Sequence, residues 1–140
     1  MTDTKKHVLI VDDEEDLTWS ISRGLSKDKQ GLEISCVNSG QEAVDFLSSQ
    51  KIDLLITDLR MPDVTGYHLI DLVKTQFPET KIIVMTAYGS KDVSEKLKQS
   101  GVPGYIEKPF EINDLRDMIY THLDTEEQLD NAQQPAGWEL

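Results

Sequence analysis

The sequence predicts an α/β fold in which one parallel sheet is covered by helices on both faces. Short apolar runs alternate along the chain with segments whose apolar residues recur at helical spacing. Most of the runs are continuous, which is typical of strands buried on both faces. Five such strand–helix units in a chain of 140 residues favour a single doubly wound (βα)5 sheet. The common small version of that architecture is flavodoxin-like, with strand order 2-1-3-4-5.

The first elements follow directly from these patterns. The predicted strands are the apolar runs at residues 7–11, 32–37, 53–57, 81–85 and 104–107. Leu17, Ile21 and Leu25 recur every four residues and predict the first helix. Ser39 with Glu42 has the spacing of a capping box, which predicts the start of the second helix.

The remaining helices differ in how strongly they are indicated. The third and fifth are predicted from apolar stripes at Leu69, Ile70 and Val73 and at Leu115, Ile119 and Leu123. The fourth offers little beyond Val93 and Leu97 as an apolar stripe. A helix so lightly anchored is expected among the less stable parts of the fold, although a plain peripheral helix explains the same pattern.

Composition excludes several classes of protein. The formal net charge is −12, which argues against direct nucleic-acid binding because phosphate contacts need clustered Lys and Arg. No apolar run approaches the roughly 20 residues of a membrane span, and the start of the chain does not have the pattern of a signal peptide. The single cysteine, Cys36, allows no internal disulfide and is interpreted as a small buried residue in a strand. A cytoplasmic protein is expected.

The chain is predicted to divide into one folded domain and a tail. Residues 1–123 contain all of the predicted strands and helices. Residues 124–140 are polar, with five acidic residues and no Lys or Arg. The first part of this tail is predicted to extend the last helix, and the part beyond Pro135 is predicted to be disordered.

Chemically active side chains stand at the ends of four predicted strands. Asp12 and Asp13 follow the first strand, and Asp58, Thr86 and Lys108 stand at the ends of the third, fourth and fifth. The carboxyl ends of parallel strands share one edge, so these side chains are expected to converge there. Clustered carboxylates repel one another unless a cation is present. Mg²⁺ suits the set, because it takes oxygen ligands and works with phosphate oxygens.

Each of these residues alone has an ordinary explanation. An Asp at a strand end is usually a helix cap or turn former, and a single Thr or Lys there is usually structural or solvated. Their joint presence at four strand ends favours a functional site instead. With Mg²⁺ bound, a carboxylate can attack phosphorus and become an aspartyl phosphate. Lys108 and Thr86 could then stabilise the transferring group, which predicts phosphoryl transfer onto Asp58.

The stretches "LIVDDEED", "LLITDLRMPDVTG", "IIVMTAYGS" and "GYIEKPF" resemble those of response-regulator receiver domains in two-component signalling. The resemblance extends over about residues 6–123 and implies a cis Lys108–Pro109 bond. It also implies a protein that takes a phosphoryl group from a sensor histidine kinase or a phosphotransfer protein. The phosphorylated form would control a downstream protein or output domain, or form a dimer. Such a protein is not an enzyme in the ordinary sense, because it catalyses only its own phosphorylation and dephosphorylation.

The resemblance assigns a role to each residue of the predicted site. Asp58 would be the phospho-acceptor. Asp13 and Asp58 would bind Mg²⁺ directly, with the backbone carbonyl of Arg60 as a third protein ligand. Asp12 would bind the metal directly or through water. Lys108 would pair with the phosphoryl group.

Further positions would transmit or tune the signal. Thr86 would move to meet the phosphoryl group, and Tyr105 would rotate inward after it. The fourth helix, fifth strand and fifth helix would form the surface that changes. Arg60 and Tyr88 would line the path of the attacking water, and their bulk predicts a long-lived acyl phosphate; ordinary exposed loop residues are the alternative.

Three other functions compete with this interpretation. A pseudo-receiver, which is a pure interaction module, would lose acids or the Lys that are all present here. A phosphatase of the haloacid-dehalogenase type needs an Asp two residues after the nucleophile, where this chain has Arg60. A flavin-binding protein of the same fold needs a Ser/Thr-rich phosphate loop after the first strand, and "DDEED" is not one.

Overall fold

The computed structural model describes residues 6–26, 31–61, 63, 65–87 and 91–123. Within them, strands and helices alternate in the order β1 Lys6–Val11, α1 Glu15–Ser26, β2 Leu32–Val37, α2 Gly40–Ser49, β3 Leu54–Asp58, α3 Gly66–Gln76, β4 Lys81–Thr86, α4 Lys91–Gln99, β5 Gly104–Glu107 and α5 Ile112–Leu123. The strands form one parallel sheet of order β2-β1-β3-β4-β5. The predicted fold class and strand order are confirmed.

The register of the sheet determines where the strand ends lie. Val11, the last residue of β1, is opposite both Val37 of β2 and Thr57 of β3. Thr86, the last residue of β4, is opposite Glu107 of β5. All strands run in the same direction, so their last residues lie along a single edge, here called the carboxyl edge.

Two separate cores explain why the strands are continuous apolar runs. In β1, Leu9 and Val11 belong to the core under α2, α3 and α4. Val8 and Ile10 belong to the core under α1 and α5. Each of these four residues is 0% exposed, because successive side chains of a strand point to opposite faces and both faces are covered.

The helix signals in the sequence are confirmed with one shift. Of the three residues that predict α1, Ile21 and Leu25 are buried and Leu17 is half-buried. Ser39 is the N-cap of α2, and its side chain accepts a hydrogen bond from the Glu42 N–H at 3.1 Å. Glu42 reaches back to the N–H of Asn38 at 2.9 Å, one residue before the position of a standard capping box.

Cys36 is less buried than predicted, because β2 is an edge strand. The side chain is half-buried, and its Sγ donates to the Thr18 carbonyl at 3.5 Å. Burial raises the pKa of the Cys36 thiol, and a hydrogen bond with Ser22 opposes this only in part. The raised pKa disfavours the thiolate, which is the nucleophilic form of cysteine.

Two further sequence predictions concern the membrane and the tail. Among the residues that the structure describes, no helix has the length and apolar character to span a bilayer. The division at residue 123 and the character of residues 124–140 stay predictions, because the tail lies outside the described residues.

Candidate phosphoryl and magnesium site

The carboxyl edge brings the predicted site residues together. Asp58 and Thr86 are the last residues of β3 and β4, Asp12 directly follows β1, and Lys108 directly follows β5. One carboxylate oxygen from each of Asp12, Asp13 and Asp58 lies within 4.8 Å of the other two. Three oxygen donors at this spacing fit the oxygen-rich coordination that Mg²⁺ prefers.

The three carboxylates differ in exposure and in their partners. Asp12 is 0% exposed and Asp58 is 7% exposed, whereas Asp13 is exposed. Asp12 accepts a hydrogen bond from the Glu14 N–H at 2.8 Å through Oδ1, and its Oδ2 lies 2.5 Å from Lys108 Nζ. Both Asp12 oxygens are thus engaged, and the exposed Asp13 carboxylate is the more available metal ligand.

Lys108 forms ion pairs with the acids around it. Its Nζ lies 2.5 Å from Asp12, 3.2 Å from Asp58 Oδ2 and 3.4 Å from Glu14 Oε1. Burial alone would lower the pKa of Lys108, but its hydrogen bonds and charge interactions with Asp12 and Asp58 outweigh burial and raise it. The side chain therefore remains an ammonium that can face a phosphoryl oxygen.

Asp58 sits in a site that carries excess negative charge. Burial raises the pKa of the Asp58 carboxyl, the charge of Lys108 lowers it, and the charge of Asp12 raises it again. The net effect is a raised pKa, because burial outweighs the attraction of the Lys108 ammonium. An additional cation would favour the ionised Asp58, which is the form that can act as a nucleophile.

The backbone around Asp58 leaves no room for a side chain at Gly66. An alanine Cβ there would contact the Asp58 carbonyl oxygen and lie 2.6 Å from Leu59 Cα. The Gly66 N–H also donates to the Leu59 carbonyl at 3.0 Å, which closes the loop after β3. Glycine at this position therefore lets α3 begin directly against the end of β3.

Replacing Gly66 with alanine is expected to lower the free energy of unfolding by about 1 to 3 kcal/mol, the range for overpacked sites. The clash is with backbone atoms, which cannot rotate away. Urea unfolding measures the change. Gly24→Ala is the matched comparison. The three atoms nearest its Cβ would all belong to the side chain of Ile112, which can move, so a smaller loss is expected. An equal loss in both variants would contradict this explanation.

The structure describes three of the four other predicted residues. The Arg60 N–H donates to Asp58 Oδ1 at 3.4 Å, and the Arg60 side chain is exposed. Thr86 is 1% exposed, and its carbonyl accepts from the Lys108 N–H at 2.8 Å. Tyr105 is half-buried against the core under α2, α3 and α4. Tyr88 lies outside the described residues.

The cis peptide bond implied by the resemblance is present, and one residue beside the site was not predicted from the sequence. The Lys108–Pro109 bond is cis, as expected. The structure adds Asn38, whose Nδ2 donates to the Asp12 carbonyl at 2.8 Å and to Thr18 Oγ1 at 3.0 Å. Its position directly after β2 is the same strand-end signal that identified Asp12, so the sequence contained a clue.

The arrangement is that of a receiver domain, and comparison with known proteins agrees. The family model described as "Response regulator receiver domain" matches residues 8–120. The chain therefore belongs to the response regulator receiver domain family, whose function is to accept a phosphoryl group in two-component signalling.

The similar proteins include regulators of transcription. The chain is 30% identical over 132 residues to the DNA-binding transcriptional regulator NtrC of Proteus hauseri, a match that covers 92% of the chain and 28% of NtrC. The chain thus spans about a quarter of the length of the curated relatives it matches.

Solved receiver structures show the same fold over nearly their whole length. The chemotaxis response regulator CheY4 of Vibrio cholerae superposes with a TM-score of 0.76 at 28% identity, covering 84% of this chain and 98% of CheY4. The beryllofluoride-activated NtrC4 receiver domain dimer gives a TM-score of 0.77 at 32% identity, covering 86% of this chain and 97% of the NtrC4 chain.

Proposed function

We propose that Asp58 is the residue that accepts the phosphoryl group. A carboxylate oxygen of Asp58 attacks the phosphorus of the donor and forms the new P–O bond. The bond from phosphorus to the donor's leaving atom breaks, and its electron pair leaves with the donor. The observation that carries the proposal is the position of Asp58 Oδ2, 3.2 Å from Lys108 Nζ and within a cluster of three carboxylates.

Asp13, Asp58 and the backbone carbonyl of Arg60 would hold Mg²⁺, with Asp12 acting on the metal directly or through water. When bound, Mg²⁺ supplies positive charge that offsets the negative charge of the phosphoryl oxygens. The proposal is supported by the chemistry of the donors, which are all oxygens, and by the exposure of Asp13, which lets solvent and metal enter.

Lys108 and Thr86 would receive the transferred group. The Lys108 ammonium would pair with a phosphoryl oxygen, exchanging part of its contact with Asp58 for one with the new group. The Thr86 hydroxyl would hydrogen-bond the same group, and Tyr105 would follow it inward. The switch is then a population shift in which the phosphoryl group favours the active packing of α4, β5 and α5.

The test is to incubate the protein with Mg²⁺ and acetyl phosphate and to weigh the intact chain. One phosphoryl adduct is expected with Mg²⁺ and none when the metal is chelated. Asp58→Asn should give no adduct, whereas Asp71→Asn, which changes an exposed acid on α3, should label like the unmodified protein. Labelling of Asp58→Asn at the same rate would contradict the proposal.

Magnesium is expected to stabilise the protein by mass action. At a concentration of one hundred times its dissociation constant, Mg²⁺ should raise the free energy of unfolding by about 2.7 kcal/mol. Urea unfolding with MgCl₂, against NaCl at the same ionic strength, measures this gain. If NaCl gave the same stabilisation, general screening of the net charge would explain it and a specific metal site would not.

Arg60 and Tyr88 are predicted to slow the loss of the phosphoryl group. Replacing both with alanine should open the path of the attacking water and speed dephosphorylation, and the decay of the intact-mass adduct measures the rate. Arg23→Ala, an exposed change on α1, is the control. An unchanged decay rate in the double variant would show that these residues do not tune the lifetime.

The partners follow from the class of protein. A sensor histidine kinase or phosphotransfer protein would donate the phosphoryl group, and a downstream protein or output domain would respond to it. The activated NtrC4 receiver is described as a dimer, which supports dimer formation on phosphorylation here.

Three further properties stay predictions. Direct nucleic-acid binding is not expected of this acidic chain. A cytoplasmic location is expected, and so is the absence of catalytic turnover on outside substrates. The pseudo-receiver alternative is not favoured, because all the acids and Lys108 are present.

A further inference from the structure

Asp63 connects the loop after the acceptor strand to helix α2. Its Oδ1 accepts a hydrogen bond from the Gly40 N–H at 3.1 Å, and its Oδ2 accepts one from the Gln41 N–H at 3.0 Å. The first N–H groups of a helix have no partner within the helix, and the helix dipole favours a negative charge there. Asp63 therefore attaches its loop to α2 at two points.

The same end of α2 is also joined to the metal site. Glu42 in the first turn accepts a hydrogen bond from the Asn38 N–H at 2.9 Å. The Asn38 side chain donates to the Asp12 carbonyl at 2.8 Å. The first turn of α2 is thus held at a defined distance from the carboxylates, and Asp63 holds the loop against that first turn.

The loop itself carries the predicted metal ligand. We call residues 59–65 the acceptor loop, of which 62 and 64 lie outside the described residues. Its base is closed by the hydrogen bond from the Gly66 N–H to the Leu59 carbonyl. In the chain, Arg60 lies between Leu59, which is held by this bond, and Asp63, which is held by α2. The position of the Arg60 carbonyl therefore depends on attachments on both sides of it.

We infer that Asp63 is a positioning residue that sets the affinity of the site for Mg²⁺. Mg²⁺ requires near-ideal octahedral geometry, so an acceptor loop released from α2 would hold the Arg60 carbonyl less accurately. The inference rests on the proposed function, in which Arg60 supplies a backbone ligand. It adds a residue outside the catalytic cluster, one that touches neither metal nor phosphoryl group.

The experiment measures Mg²⁺ binding to the full chain by isothermal titration calorimetry. Asp63→Ala should raise the dissociation constant roughly tenfold, the size found for supporting groups around metal ligands. Asp63→Asn keeps one acceptor oxygen, so its dissociation constant for Mg²⁺ should lie between those of the unmodified protein and Asp63→Ala. Phosphorylation of Asp63→Ala by acetyl phosphate should be slow at low Mg²⁺ and should recover when Mg²⁺ saturates the site.

Ser39→Ala is the matched control. It removes a hydrogen bond to the same helix end, from the Glu42 N–H, without releasing the acceptor loop. It should lower stability but leave Mg²⁺ affinity unchanged. Equal weakening of Mg²⁺ binding in Ser39→Ala and Asp63→Ala would overturn the inference, because affinity would then follow the stability of α2.

The outcomes separate this inference from the proposed function. If the unmodified chain binds Mg²⁺ and is phosphorylated, and Asp63→Ala binds Mg²⁺ equally well, only the positioning role of Asp63 is overturned and the proposed function stands. If the unmodified chain neither binds Mg²⁺ nor accepts a phosphoryl group, the proposed function is overturned and the positioning role with it.

Discussion

Lys108→Ala is expected to slow the phosphorylation of Asp58 by about 10²-fold to 10³-fold, the usual cost of removing one charge-stabilising donor from an active site. The Lys108 ammonium lies 3.2 Å from Asp58 Oδ2, beside the place where negative charge would develop on the transferring group. The rate of adduct formation with acetyl phosphate at saturating Mg²⁺ measures the effect.

The same variant is expected to have an opposite effect on metal binding. Removing a positive charge from the neighbourhood of the carboxylates should tighten Mg²⁺ binding, because the ammonium repels the metal ion. A variant that merely disturbed the fold would weaken both processes. Lys51→Ala, which changes an exposed Lys away from the carboxyl edge, should leave both unchanged. Looser Mg²⁺ binding by Lys108→Ala would contradict the electrostatic account.

Asp13→Asn is expected to weaken Mg²⁺ binding by more than about tenfold, beyond what is lost when only a supporting group is removed. Among the described residues, no hydrogen bond or ion pair engages the Asp13 carboxylate, so its oxygens are available to a metal. Because Asp13 is exposed, the fold should tolerate the change. Calorimetric titration measures the affinity.

Asp12→Asn provides the comparison. Both Asp12 oxygens already have partners, the Glu14 N–H and the Lys108 ammonium. An amide can keep only one of those contacts, so this variant should lose stability as well as some affinity. The loss of Mg²⁺ affinity in Asp12→Asn is expected to be smaller than the loss in Asp13→Asn. If Asp12→Asn weakened Mg²⁺ binding more than Asp13→Asn, Asp12 would be the main direct ligand instead.

The fold and the core of the site could be predicted from the sequence for one physical reason. Continuous apolar runs indicated strands buried on both faces, and parallel strands place their carboxyl ends at one edge. That rule brought together Asp58, Thr86 and Lys108, which are separated by up to 50 positions in the chain. Burial of Ile21 and Leu25 followed from helical periodicity in the same way.

What could not be predicted depends on contacts between loops. Asp63 and Gly40 are 23 positions apart, and Asn38 and Asp12 are 26 apart. Both pairs join a side chain to a backbone group, and periodicity does not indicate such contacts. The position of Asn38 directly after β2 indicated only that this residue lies near the site. Cys36 was predicted to be buried and is only half-buried. The predicted strand order already placed β2 at an edge of the sheet, so the error came from treating the residue type alone.

Asp58, and no other residue, is proposed to carry the phosphoryl group. The direct measurement is to phosphorylate the protein with acetyl phosphate and Mg²⁺, reduce it with borohydride and sequence its peptides by mass spectrometry. Borohydride reduces an acyl phosphate to an alcohol, so an aspartyl phosphate becomes homoserine. Homoserine is expected at position 58 alone. Homoserine at position 12 or 13, or an adduct that resists reduction, would contradict it.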